Sequence, residues 1–212
     1  RLSYGKMLRF RHADMADLEK KNEGFLSSSQ VQYVCRAGNY IKKGLPYTGA
    51  LKVLKVMMGY EYLWNQVRVK GGAYGCMCNF AKNGDGYFVS YRDPNLEKTI
   101  EVYEQAADYI KNYEADERTV TQFIIGAVSE MDVPMTPVTK GAYSLGGYLT
   151  GLPMERIQKE RDELLNVTES EVNRLADYID AFVSFEDICV VGNEKTLKDN
   201  KDIFMTVEPL FH

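Results

Sequence analysis

The chain has 212 residues, 45% hydrophobic and 26% charged, enough for one large domain or two small ones with a real core. Its 26 Lys and Arg stand against 30 Asp and Glu, a net charge of −4 that argues against a general nucleic-acid binder, since such proteins usually carry a basic excess. No apolar run approaches the ~18 residues that cross a bilayer, and the two histidines, His12 and His212, stand at opposite ends.

That placement bears on chemistry. Catalytic zinc sites usually draw two or three ligands from His, often as H-E-x-x-H on one helical face. Neither His here has a second within a helical turn, so no metal site is expected in this chain. Ser-His-Asp and Cys-His catalysis are equally hard to build.

The chain begins at Arg1 and lacks the basic start, apolar stretch and cleavage site of a signal peptide, so a piece of something longer is expected. Residues 1–29 are charged and weakly periodic and read as a lead-in. Its first part, residues 1–21, is assigned to a preceding region, and residues 22–212 to one domain. Residues 31–36 are β-branched and aromatic, a strand, with Gly38-Asn39 as the turn after it. Pro46 and Thr48 open a long helical pattern. Leu51, Leu54 and Met58 form one stripe, and Val53, Met57 and Tyr60 an adjoining one, so the helix should be mostly buried.

That helix ends before Gly71-Gly72. Two strands follow, about residues 75–81 and 87–92, joined by Asn83-Gly84-Asp85-Gly86, which supplies the positive φ angles of a tight hairpin. Asp93 and Pro94 read as the N-cap and first residue of a helix whose inner face is Ile100, Tyr103, Ala107 and Ile110. Further helices are predicted over 117–131, 143–149, 153–165 and 169–182, the last announced by a capping box from Thr168 to Glu171. Residues 185–191 read as a final strand closed by Gly192. Strands and helices mix without βαβ alternation, so the fold class is α+β, a mostly antiparallel sheet covered by helices.

Cys35, Cys76, Cys78 and Cys189 sit in apolar, strand-like contexts and read as small buried thiols in a reducing compartment. A Cys-x-Cys metal half-site at Cys76 and Cys78 is the alternative, with no second pair to complete it. The run Glu160-Arg161-Asp162-Glu163 reads as a solvated helix face. Tyr103, Tyr109 and Tyr178 fall at periodic positions that suit core or rim packing.

The most unusual stretch runs from Asn65 through Arg68, Gly71 and Gly72 to Tyr74 and Gly75. A phosphate cradle needs Gly-Lys-Ser/Thr between strand and helix. Here the order is helix, glycines, strand. Two readings stay open. One is a helix terminator, with Arg68 on the helix C-terminal dipole and Tyr74 an ordinary strand aromatic. The other is a guanidinium and a phenol at a glycine-opened edge, both suited to backbone carbonyls or a developing oxyanion.

This segment follows Asn22-Glu23-Gly24-Phe25, Val31-Gln32-Tyr33-Val34 and Tyr62-Leu63-Trp64, and precedes Tyr91-Arg92-Asp93-Pro94 and Tyr143-Ser144-Leu145-Gly146-Gly147-Tyr148. Over about residues 22–205 it resembles the C-terminal domain of the insulinase-like zinc metallopeptidases, in their presequence-protease branch. The resemblance implies one of four homologous α+β units around a closed chamber. The zinc sits on an H-x-x-E-H helix of the first unit, a motif absent from this chain. By position the family's substrate-binding Arg and carbonyl-binding Tyr correspond to Arg68 and Tyr74.

The function so implied is the substrate-binding unit of a zinc endopeptidase that hydrolyses short unfolded peptides, inactive as an isolated fragment. The alternative is a non-catalytic binding subunit of the same fold. The implied partners are a peptide substrate and the remaining domains of its own chain, with no nucleic acid and no membrane, and the fragment is able to self-associate. Zinc is expected only in the full-length enzyme, and the compartment is the cytoplasm, or the mitochondrial matrix in a eukaryote.

Overall fold

The first strand of the sheet lies where the sequence suggests only a lead-in. In the computed structural model, which describes residues 21–211, β1 (Glu23–Ser27) pairs with a strand more than 160 residues later. The other strands are β2 (Gln32–Asn39), β3 (Gly75–Phe80), β4 (Asp85–Asp93), β5 (Asp187–Asn193) and β6 (Thr206–Pro209). They form one six-stranded sheet in the order β3-β4-β2-β5-β1-β6. The β2–β4, β2–β5 and β3–β4 pairings are antiparallel, while β1 runs parallel to both β5 and β6. The α+β class expected from the sequence holds.

Period-two alternation explains which side the helices cover. On β2, β4 and β5 the buried positions include Val34, Phe88, Ser90, Ile188 and Val190, while Tyr33, Tyr87, Tyr91 and Cys189 on the other face stay partly or largely exposed. Phe88 meets the ring of Phe182 at 4.9 Å and that of Tyr103 at 5.4 Å, so the core lies between the sheet and the helices that carry those residues.

The helices are α1 (Ala50–Met57), α2 (Glu97–Glu104), α3 (Ala106–Lys111), α4 (Glu117–Met131), α5 (Pro137–Thr150), α6 (Met154–Leu165), α7 (Glu169–Arg174), α8 (Ala176–Val183) and α9 (Glu194–Asp199). Their starts follow side-chain chemistry. Asp116 accepts from the Thr119 N–H at the head of α4, Thr136 caps α5 with Pro137 behind it, and Thr168 and Glu171 complete the expected capping box. α5 buries none of its side chains among the described residues.

Several local expectations are corrected. Gly38 and Asn39 end β2 rather than forming a turn. β5 runs through Gly192, and α9 and β6 follow it. The predicted helices 94–110 and 169–182 are each two, broken at Gln105 and Leu175.

Asp93 is not an N-cap. It closes β4 fully buried, and its carboxylate is occupied by the Asn95 N–H at 2.9 Å and the Thr99 hydroxyl at 2.8 Å, so α2 starts only at Glu97. Glu160 is not on a solvated face. It is buried on α6, where it accepts from Tyr47 at 2.8 Å and from Lys82 and faces Lys52 at 3.3 Å. Only Cys78 of the four thiols is buried, and Cys189 is exposed. His12, His212 and the lead-in residues 1–20 lie outside the described residues.

Candidate functional site

The long helix predicted before the glycines changes its winding partway. α1 continues directly into a π-helical segment, Met58–Lys70. Its buried side chains, Met58, Tyr62, Leu63 and Val67, recur more slowly than α-helical periodicity allows, as the wider π turn requires. The widened turn carries Tyr60 out to solvent, against the buried position its α-helical spacing suggests. Tyr62 anchors the inner side, donating a 2.6 Å hydrogen bond to the carbonyl of Val102 and meeting the Tyr109 ring at 4.7 Å. Trp64 and Arg68 emerge on the outer side, and the Arg68 guanidinium lies 4.0 Å from the indole centroid, a cation–π stack.

The segment stops abruptly. The Arg68 carbonyl accepts from the Gly72 N–H at 3.0 Å, and Gly72 takes φ +82°, a left-handed conformation natural only to glycine. Three residues on, β3 begins at Gly75, where a Cβ would stand 2.4 Å from the ring of Tyr91, so a larger residue there would have to push that ring aside.

The neighbouring strand holds this turn in place. The side-chain amide of Asn95 donates a 2.6 Å hydrogen bond to the carbonyl of Gly71, and its backbone N–H is fixed on Asp93. The Tyr74 N–H donates to the carbonyl of Arg92 at 3.2 Å. The Tyr74 ring meets the edge of Tyr91 at 5.6 Å, and the guanidinium of Arg92 lies 5.5 Å from its centroid. Tyr74 is 61% exposed, and among the described residues no group accepts from its hydroxyl.

Arg68 and Tyr74 therefore flank one glycine turn at the head of β3, both facing solvent. Arg68 pairs with no carboxylate among the described residues. The guanidinium over the Tyr74 ring is that of Arg92, and that of Arg68 rests on Trp64. Burial pushes the thiol of Cys76, the second residue of β3, up to about 11, with the Arg68 guanidinium pulling the other way.

Such an arrangement supplies a fork of charged donors and a neutral O–H donor a few residues apart. Those groups suit carbonyl oxygens and an oxyanion. They do not suit a metal. Among the described residues no three His, Cys, Asp or Glu side chains converge to hold one, and the Arg and Tyr at the site are donors rather than ligands.

Sequence reasoning singles out Arg68 and Tyr74 and treats Trp64 and Arg92 only as parts of supporting motifs. No local signal marks Arg92, since Phe88-Val89-Ser90-Tyr91-Arg92-Asp93 carries no regular alternation of apolar and polar residues.

Residues 22–194 match the family model described as the PreP C-terminal domain. The chain is 44% identical over 192 residues to Protein HypA of Clostridium perfringens, which covers 91% of this chain and 20% of that protein. It is 35% identical over 189 residues to Presequence protease 1, chloroplastic/mitochondrial, of Arabidopsis thaliana, covering 84% and 18%. It thus spans about a fifth of the length of these curated relatives.

Pitrilysin shares the fold with a TM-score of 0.56 at 13% identity, over 82% of this chain and 19% of that one. A crystal structure described as a peptidase inactive domain from Pseudomonas fluorescens does so with 0.55 at 15% identity, over 92% and 46%. With most of its length matched by that one model, the chain belongs to the presequence-protease C-terminal domain family.

Proposed function

We propose that this chain is the C-terminal substrate-binding unit of a zinc endopeptidase that hydrolyses short unfolded peptides. Tyr74 donates its O–H to the carbonyl oxygen of the bond being cleaved and strengthens that bond as the oxygen becomes an oxyanion. Arg68 holds peptide carbonyls beside it with its fixed fork of N–H groups. The observation that carries this reading is an exposed guanidinium and an exposed phenol, neither engaged by a carboxylate, displayed at one glycine turn. The name of the Arabidopsis relative supports a peptidase reading. The metal would be held by another part of the intact protein. The compartment we assign to the intact protein is the cytoplasm, or the mitochondrial matrix in a eukaryote.

The second reading is a non-catalytic binding subunit of the same fold. One experiment separates the two. Arg68→Ala and Tyr74→Phe are made in the full-length protein, and hydrolysis of a short unstructured peptide is followed. Losing one oxyanion donor typically lowers kcat by ~10²–10³-fold. Unchanged turnover in Tyr74→Phe would remove the assigned role, and no turnover in the wild type would favour the binding subunit.

A further inference from the structure

Tyr74 is attended by a second arginine that the register of the sheet has moved into place. On β2, Gln32 pairs with Asp93 and Val34 with Ser90, so the single residue Tyr33 stands opposite both Tyr91 and Arg92. This is a β-bulge, one extra residue on β4. The bulge is where Arg92 takes φ +48°, a left-handed conformation uncommon for any residue other than glycine, Asn or Asp.

Its effect follows from period-two alternation. Phe88 and Ser90 point into the core, and without the extra residue Arg92 would follow them inward while Asp93 turned out. With it, Asp93 is fully buried and Arg92 is exposed. The re-aimed guanidinium lies over the Tyr74 ring, and the Arg92 carbonyl accepts the Tyr74 N–H. The same residue thus grips Tyr74 by both its backbone and its ring, while Tyr91, the other residue of the bulge, meets that ring edge-on.

We propose that Arg92 is a positioning residue, which the bulge presents so that the Tyr74 phenol is held in one orientation for its carbonyl partner. This rests on the reading of Tyr74 as the oxyanion donor. A phenol on an exposed strand end otherwise rotates among rotamers, and misplacement on the ångström scale has a large cost in rate. Backbone strain kept at such a position is the usual mark of a functional constraint.

The test uses the full-length protein with Arg92→Asn, which tolerates the left-handed backbone, and Arg92→Lys, which keeps a cation. Arg92→Asn is expected to lower kcat roughly tenfold with KM unchanged, Arg92→Lys to restore most of it, and the loss to vanish in a Tyr74→Phe background. A 3-fluorotyrosine placed at position 74 reads the ring directly, and its ¹⁹F resonance is expected to shift and broaden in Arg92→Asn. A loss of equal size in the Tyr74→Phe background would overturn the proposal, as would an unmoved resonance. If Tyr74→Phe itself leaves turnover intact, the reading of Tyr74 fails, while the resonance still decides whether Arg92 holds the ring.

Discussion

The side-chain amide of Asn95 donates a 2.6 Å hydrogen bond to the carbonyl of Gly71, tying the segment after β4 to the glycine turn between Arg68 and Tyr74. Asn95 is itself held by the buried carboxylate of Asp93, which also accepts from Thr99. A chain of three polar side chains thus joins the turn to the buried end of β4, beside Ala73, which sits in the core.

Asn95→Ala should loosen that fastening without emptying a core position. The lost hydrogen bond predicts a destabilisation of about 1 kcal/mol. Chemical denaturation measures it, and amide hydrogen exchange at Gly71–Tyr74 should rise by more than the global change accounts for. Uniform exchange across the domain would show that the turn is held by something else.

Asp93→Ala should be far more damaging than Asn95→Ala. It removes the group on which Asn95 and Thr99 both rest and leaves buried donors unpaired, each costing about 1–3 kcal/mol. A melting temperature within a degree of the wild type would contradict this account.

Glu160 gives a pH prediction. Burial alone would raise its pKa, but hydrogen bonds from Lys82 and Tyr47, with Lys52 nearby, outweigh that and hold it below the ordinary 4.5. A carboxylate depressed in the folded state stabilises above its unfolded pKa, and the contribution is lost as pH falls through the folded value. Glu160→Gln should therefore destabilise the protein at pH 7, modestly because the lysine partners are partly exposed. The gap to wild type should close as the pH drops below about 4.5. A gap independent of pH would mean that shape rather than charge matters at this position.

The thiols supply a second pH test. Burial pushes Cys35 from about 9 up to about 11, helped by Cys189 directly across the β2–β5 pair. Only thiolate is nucleophilic, so alkylation of Cys35 in the native protein should be slow at neutral pH and rise near tenfold per pH unit up to about pH 10. Mass spectrometry of iodoacetamide-treated protein follows this site by site. A rate that bends over near pH 9 would show an ordinary, solvated thiol.

Much of this architecture is legible in the sequence because its signals are local. The Asn83–Gly86 hairpin, the capping box at Thr168 and the break at Gly71-Gly72 each depend on a few adjacent residues. What escapes is set at a distance. β1 looks like part of a charged lead-in because its partners are β5 and β6, near the other end of the chain. Glu160 looks solvated until Lys82, Lys52 and Tyr47 come from three other places to meet it.

The site divides in the same way. Arg68 and Tyr74 are visible through their glycine-rich segment. The role of Arg92 depends on a bulge that exists only once β2 and β4 are in register, and the π-helical winding appears only when the apolar spacing is compared with burial.

The placement of β1 has one more consequence, for folding. Glu23 aligns with Cys189 and with Thr206, so the strand near the beginning of the described chain can be hydrogen-bonded on both sides only after segments more than 160 residues away have arrived. The β3–β4 hairpin can form early from contacts within some twenty residues, whereas the half of the sheet beyond β2 waits on long loop closure. The turn bearing Arg68 and Tyr74 belongs to the early half. Shortening the protein before Asp187 should leave the head of β3 largely built and strand β1 with neither of its neighbours.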